Sequence, residues 1–234
     1  MCLCVIPARG GSKRILRKNL KEFCGKPIIA YSIQNAINCG IFSQIIVSSD
    51  DLEILDYATA LGATALKRPE SLSDDYTGTR EVVLHAIEVL DLKAESFVCC
   101  LYATAPLLDS NTLKNAFLQA KQKAQDCYCF SVVEYDYSPF RAFTITEDRN
   151  AMLFKEHFNK RSQDLQKVYH DAGQFYFAQT KTWKEKENIF EGSYSFILPK
   201  SQAQDIDTLE DWNLAELKYK IKTLDNADRF QTLQ

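Results

Sequence analysis

Leu3-Cys4-Val5-Ile6-Pro7-Ala8-Arg9-Gly10-Gly11-Ser12-Lys13-Arg14, continuing to Lys18-Asn19, is an apolar run that stops at a proline and becomes a loop with five cations and a glycine pair. A strand ending at Pro7 fixes where the loop begins. Gly10 and Gly11 permit backbone dihedrals that bring several N–H groups close to one anion without side-chain interference. Arg9, Lys13 and Lys18 supply neutralising charge, so the stretch is a cradle for polyphosphate. The glycines open neither G-x-x-x-x-G-K-[ST] nor G-x-G-x-x-G, which disfavours a Walker ATPase and a Rossmann dehydrogenase. Taken alone, the loop would also serve as a basic surface turn in which the glycines let the chain reverse.

Outward from this loop, short apolar or β-branched runs at Leu3 to Ile6, Ile45 to Ser48, Phe97 to Leu101 and Tyr128 to Val133 alternate with segments of helical spacing. The spacing predicts helices from Pro27 to about Cys39, stopped by Gly40, and from Leu52 to Leu61, stopped by Gly62. Two more follow, from Thr79 to Leu90 and from Asn111 to Gln125. Such alternation predicts an α/β fold with a mostly parallel, doubly wound sheet covered on both faces and a ligand site at the carboxyl ends of its strands. From about 135 to 170 the residues turn aromatic and charged without a sustained period, which marks an inserted subregion. Gly173 to Ala178 and Phe196 to Leu198 resume strand composition, and Thr208 to Lys222 is helical. The expected organisation is one domain over 1–222 with a polar tail over 223–234.

At 234 residues and 46% hydrophobic, the chain can bury roughly 70% of its unfolded surface and needs no staple. Its eight cysteines sit in apolar runs or near helical patterns, as in Cys2-x-Cys4 and Cys127-x-Cys129, and read as buried reduced thiols. A net charge of −3 argues against nucleic acid as a partner, so the basic loop is local and its partner a small anion. The start lacks a signal-type segment, and no apolar run of about 18 residues follows, so a cytoplasmic protein without membrane partners is expected.

Three further groupings carry chemistry. Arg68-Pro69 with Thr77-x-Thr79 precedes a helix; Thr79 is a plausible N-cap facing a ligand, although capping alone would account for both threonines. Asp205-Ile206-Asp207 puts two carboxylates on one side of an extended chain, which suits Mg²⁺ together with waters and substrate phosphates. An N-cap at Asp207 with a solvated Asp205 fits the same residues. Tyr169-His170-Asp171-Ala172-Gly173-Gln174-Phe175-Tyr176 is a polar cluster entering an aromatic strand, where it could line a sugar pocket.

Together these residues resemble the CMP-sialic acid synthetase family, CMP-sugar synthetases that activate nine-carbon and eight-carbon ulosonic acids, over most of residues 1 to 222. The resemblance implies a Rossmann-like nucleotidyltransferase fold with an inserted dimerisation-type element, hence a homodimer. It implies that Ala8, Arg9, Gly10, Gly11, Ser12, Lys18 and Asn19 bind the CTP phosphates, that Arg68 and Thr79 touch the nucleotide, and that Asp205 and Asp207 hold Mg²⁺. Arg9, Lys18, Asp205 and Asp207 would be the catalytic set, with Arg161 near the sugar or phosphates. Two departures look like the pseudaminic acid cytidylyltransferase branch. Tyr102 stands where sialic acid enzymes carry a sugar-binding glutamine, and Asp171-Ala172-Gly173-Gln174-Phe175-Tyr176 replaces an Asn-Gly-Ala-type segment. Tyr102, Arg161, Asp171, Gln174 and Tyr176 are thus the expected sugar contacts. The implied reaction is attack of the anomeric hydroxyl of pseudaminic acid on the α-phosphorus of CTP, releasing pyrophosphate, in the service of flagellin or surface-polysaccharide glycosylation. Rivals are the same chemistry on legionaminic, sialic or Kdo acid, a silent nucleotide-binding relative, and a glycosyltransferase, which would place its D-x-D at mid-chain.

Overall fold

Strand β1 (Cys2–Pro7) lies between two parallel partners, so Cys2 through Ile6 are all buried. Cys2, Cys4 and Ile6 join one apolar cluster, whereas Leu3 and Val5 join another on the opposite face, as the two-residue repeat of a strand requires. The computed structural model in which this is seen describes residues 1–74 and 76–231, with residues 225–231 by backbone alone.

The chain continues through a small hairpin, β2 (Glu22–Phe23) and β3 (Lys26–Pro27), into α1 (Ile28–Asn38), β4 (Gln44–Ser49), α2 (Leu52–Ala60), β5 (Thr64–Lys67), α3 (Thr79–Val89), β6 (Phe97–Leu101), α4 (Ser110–Lys123) and β7 (Cys129–Glu134). The inserted stretch then carries a hairpin, β8 (Phe143–Thr146) and β9 (Arg149–Met152), among short 3-10 turns. β10 (Tyr169–Gln179), α5 (Thr180–Glu185), β11 (Tyr194–Ile197) and α6 (Leu209–Gln231) complete the order. The central sheet has seven strands in the order β11-β7-β10-β6-β1-β4-β5. Its pairs are parallel except that β10 runs against both β6 and β7. Side chains of α1, α2 and α4 cover one face, and those of α3 and α5 cover the other, which is the doubly wound arrangement expected.

Several local expectations are corrected. Gly78, not Thr79, caps α3; Thr79 is its first residue, and its hydroxyl pairs with that of Tyr102 at 2.7 Å. Asp207 does not cap α6. Thr208 and Asp211 exchange hydrogen bonds in a capping box there, the Asp211 carboxylate accepting the Thr208 N–H at 2.8 Å and Thr208 Oγ1 accepting the Asp211 N–H at 3.2 Å. α6 also runs past Thr223 to Gln231, since no glycine or proline follows to break it; residues 232–234 of the expected tail lie outside the described residues. β5, β8 and β9 lacked an apolar signature because their residues are largely exposed. The eight cysteines are unpaired, and burial pushes the Cys99 and Cys100 thiols well above their ordinary range.

β10 departs from regular pairing in a way that matters for the site. Asp171 faces Val132 and Tyr176 faces Phe130, so five steps along β10 match two along β7. The surplus residues form a bulge, with Gly173 at φ +59. A bulge frees backbone amides from the ladder. Ser131, fully buried on β7, takes up two of them through Oγ, which accepts the N–H groups of Gln174 and Phe175, each at 3.2 Å.

A third apolar cluster joins the two ends of the chain. Ile15 and Phe23 from the segment after the basic loop, and Ile28 and Tyr31 from the start of α1, pack with Ile206, Trp212 and Ala215. Phe23 meets Trp212 and Tyr219 edge-on at centroid distances of 5.5 and 5.8 Å.

Ser131→Ala should cost roughly 1–3 kcal/mol of stability, because it strands two buried amides that the bulge has already taken out of the ladder. Urea unfolding checks this; a loss below about 0.5 kcal/mol would mean that the amides find other partners.

Candidate active site

β1, β4, β5 and β6 run parallel, so Pro7, Ser49, Lys67 and Leu101 all end at one edge of the sheet. The loops leaving that edge wall an open cleft of about 260 Å³, lined by Arg9, Ser12, Lys18, Asn19, Arg68, Thr79 and Tyr102 among others. This is where an α/β sheet presents its ligand site.

The basic loop is held in place by its own side chains and by the next strand. Asn19 is buried, and its Nδ2 donates to the Arg9 carbonyl at 2.9 Å, closing the loop on itself. Arg9 Nη1 reaches the Asp74 carbonyl at 3.2 Å. The expected role of the glycine pair needs revising. Neither Gly10 nor Gly11 has a positive φ. Gly10 is small because the chain passes close to α2: a Cβ there would meet Asp51 Oδ2 at 2.8 Å and Asp51 Cβ at 2.9 Å, whereas one on Gly11 would meet nothing within 4 Å. The Gly10 N–H is moreover given to Asp50 Oδ1 at 3.0 Å, so this amide anchors the loop rather than cradling an anion.

Arg68 forms the base of the cleft. It is buried, donating from Nε to Ser48 Oγ at 3.2 Å and from Nη2 to the Ser48 carbonyl at 2.6 Å, and desolvation lowers its pKa. A guanidinium fixed to the end of a strand in this way presents its remaining N–H groups with little rotamer entropy left to lose.

The C-terminal acidic segment meets the basic loop. Lys18 Nζ donates to the Ile206 carbonyl at 2.6 Å and lies 3.8 Å from Asp207 Oδ1; Arg14 Nη1 lies 2.7 Å from Asp207 Oδ2. Ile206 points into the third apolar cluster at 1% exposure, which turns Asp205 and Asp207 to the opposite, solvent side. Burial lowers the Lys18 pKa, with Asp207 opposing the shift. Asp205 is pushed up, by desolvation first and by the Asp207 charge second. Ion pairing in this segment falls on Asp207, which leaves Asp205 the carboxylate that gains most from an added cation.

Asp205 also lines a second cleft of about 250 Å³ with His170, Asp171, Lys200 and Lys218. Asp171 is fixed from within the bulge: Oδ1 accepts the Gly173 N–H at 2.9 Å, and Oδ2 accepts the hydroxyl of Tyr176. Three expected sugar contacts stand elsewhere. Gln174 is 1% exposed with Nε2 on the Ala172 carbonyl, and Tyr176 is 3% exposed, so both lie behind the cleft walls. Arg161 is an exposed residue of the inserted subregion, paired with Asp164 at 2.8 Å, and it lines neither cleft.

The sequence reading missed Asp50, Thr104 and Lys218, and it named Arg14 and Thr77 without giving either a role at the site. Asp50 could have been found, since it directly follows a strand at the edge where ligands bind. Lys218 carries no local signal; it reaches the second cleft from α6, donating to the Ala203 carbonyl at 3.1 Å.

The family model described as Cytidylyltransferase matches residues 3–216. A pseudaminic acid cytidylyltransferase from Campylobacter jejuni is 49% identical over 94% of this chain and 96% of its own length. A Helicobacter pylori protein named pseudaminic acid cytidylyltransferase and UDP-2,4-diacetamido-2,4,6-trideoxy-beta-L-altropyranose hydrolase is 39% identical over 87% of this chain and 40% of its own length. N-acylneuraminate cytidylyltransferase from Escherichia coli is 28% identical over 99% of this chain and 55% of its own length. Among solved structures, CMP:2-keto-3-deoxy-manno-octonic acid synthetase complexed with CTP shares the fold, with a TM-score of 0.69 at 15% identity over 95% of this chain and 98% of that one.

The two glycines should respond differently to alanine. Gly10→Ala forces Asp51 or the loop to move and should cost about 1–3 kcal/mol, seen as a drop of several degrees in Tm, while Gly11→Ala should leave Tm within about a degree. Equal effects in thermal unfolding would refute the close-approach account.

Proposed function

The chain belongs to the cytidylyltransferase family, and we propose that it transfers CMP from CTP to the anomeric hydroxyl of pseudaminic acid and releases pyrophosphate. The observation that carries this is the meeting of the two chain ends, with Lys18 Nζ 2.6 Å from the Ile206 carbonyl between the two aspartates. A nucleotide whose β- and γ-phosphates lie on the basic loop then brings its α-phosphate to the acidic segment.

In this reading Arg9 and Lys18 bind the triphosphate and neutralise the charge that develops on departing pyrophosphate. Lys18 suits the task because its ammonium is already partly desolvated and anchored. Arg68 and Thr79 orient the nucleoside end. Asp205 lines the second cleft, so an acid seated beside Asp171, Lys200 and Lys218 presents its hydroxyl next to the α-phosphate.

Asp205 and Asp207 fit a hard divalent cation. They project to one side, Asp205 is raised by burial and then by its neighbour's charge, and no third acidic, cysteine or histidine ligand joins them among the described residues. That leaves coordination positions for phosphate oxygens and water, as Mg²⁺ prefers. Bound there, Mg²⁺ would polarise the α-phosphate.

The choice of pseudaminic acid rests on the most similar of the relatives named above and on Tyr102, which lines the nucleotide cleft but has its ring 5.6 Å from that of Tyr176, the partner of Asp171 in the second cleft. Position 102 thereby sets a phenol, and no side-chain amide, beside the acid's cleft. We place the protein in the cytoplasm, where CTP is made, acting ahead of bacterial surface glycosylation; among the described residues no helix is long and apolar enough to cross a membrane. We also propose a homodimer through the inserted subregion, where Phe143, Ile145 (69% exposed), Leu153 and Phe158 leave an apolar face in water.

Pyrophosphate release from CTP should be fastest with pseudaminate and at least about tenfold slower with legionaminate, N-acetylneuraminate or Kdo. Faster turnover of another acid would reassign the substrate, and no release with any of them would overturn the activity. Asp207→Asn should lower kcat roughly 10²–10³-fold. Its unfolding midpoint should hold, because the exposed pair with Arg14 contributes at most about 1 kcal/mol. Near-normal turnover would refute the metal assignment. Light scattering should give about twice the 26.7 kDa chain mass; a monomer at micromolar concentration refutes the dimer.

A further inference from the structure

Tyr176 is a phenol with almost no surface of its own, set between the two clefts. On one side its ring lies 5.6 Å from that of Tyr102, which lines the nucleotide cleft and shares a 2.7 Å hydrogen bond with Thr79. On the other its hydroxyl donates to Asp171 Oδ2, and Asp171 lines the second cleft. A buried hydroxyl needs a partner, but a neutral acceptor in the backbone would have served. Two hydrogen bonds with a ring contact between them give a continuous path, Thr79 to Tyr102 to Tyr176 to Asp171, from one substrate's cleft to the other's.

The bulge in β10 exists at this point. Regular pairing would put residues 171 and 176 on opposite faces, because they are an odd number apart. The surplus residues cancel that alternation and let Tyr176 reach back to Asp171. Gly173, at φ +59, donates its N–H to the other oxygen of the same carboxylate, and the Tyr102 N–H donates to the Gln174 carbonyl at 2.9 Å. Both oxygens of Asp171 are therefore oriented by the bulge, and the backbone that presents Tyr102 is bonded to it. Desolvation, reinforced by Tyr102 and Asp171, raises the Tyr176 phenol far above its ordinary value, so it stays a donor throughout the working pH range.

We infer that Tyr176 is a positioning residue that holds the Asp171 carboxylate in register to accept a hydroxyl or acetamido N–H of the acceptor sugar, and that ties this register to Tyr102 and Thr79 at the nucleotide. This rests on the activity proposed above. Each carboxylate oxygen keeps one lone-pair direction for the sugar after its internal bond is made. Without the Tyr176 hydroxyl, Asp171 would rotate about its side-chain torsions and lose directed contact, while the nucleotide's own ligands would be untouched.

The test is steady-state kinetics of Tyr176→Phe, which keeps the ring, beside Asp171→Ala and the double variant. Tyr176→Phe should raise KM for pseudaminate about tenfold, with KM for CTP within about twofold and Tm unchanged within about two degrees. In the double variant, removing the hydroxyl should add little to the effect of Asp171→Ala, because the hydroxyl acts through that carboxylate. An unchanged KM for the acid, additive effects, or a rise in both KM values with a fall in Tm would each overturn the relay. Should wild type turn over a different acid, the same readout applies to that acid. If wild type turns over none, the proposed activity falls and the relay with it; turnover that Tyr176→Phe leaves intact defeats the relay alone.

Discussion

The packing of Ile206 and Trp212 against Ile15 and Phe23 is the constraint on which the rest of the site depends. Residues nearly two hundred positions apart share one small apolar cluster, and both halves of the site's charge hang from it. Burying Ile206 and Trp212 contributes roughly 1.5–3 kcal/mol each, enough to hold the acidic segment against the basic loop. Because Ile206 points inward, the alternation of an extended chain sends Asp205 and Asp207 outward together. The Lys18 bond to the Ile206 carbonyl then fixes the separation of the two charge groups more tightly than an exposed ion pair would.

The sheet determines the direction in which everything faces. β1 is buried on both faces, and its parallel neighbours all end on the same side, so the loop after β1, Asp50 after β4, Arg68 after β5 and Tyr102 after β6 converge without any direct sequence signal linking them. The antiparallel β10 is the exception, and it enters the site from the opposite direction. Its bulge puts Asp171 in the second cleft beside Asp205 while keeping Phe175 and Phe177 in the core. One strand thus both packs the core and lines a cleft, at the cost of backbone amides that Ser131 must satisfy.

The electrostatics are arranged so that neither half of the site is comfortable alone. Lys18 is partly desolvated and Asp205 is raised, both first by burial. A triphosphate would relieve the crowding among Arg9, Lys13, Arg14 and Lys18, and a divalent cation the crowding of the two carboxylates. Binding energy is stored in the geometry of charges that the fold forces together.

Much was legible in the chain itself. The Pro7 stop, the cations from Arg9 to Lys18 and the strand–helix alternation fix an α/β fold with a basic loop after β1, because these signals are local: a two-residue or 3.6-residue repeat and a run of charge. The Asp205-Ile206-Asp207 triplet likewise announces two outward carboxylates through its alternation. What only the tertiary structure decided is what those residues touch. Gly10 proved small for Asp51's sake, Thr79 turned to Tyr102 instead of capping, Gln174 and Tyr176 withdrew behind the cleft, and Lys218 arrived from the last helix. None of these follows from sequence spacing, since each depends on a contact between segments far apart in the chain, and such contacts are set by how whole faces pack and not by the residues beside them.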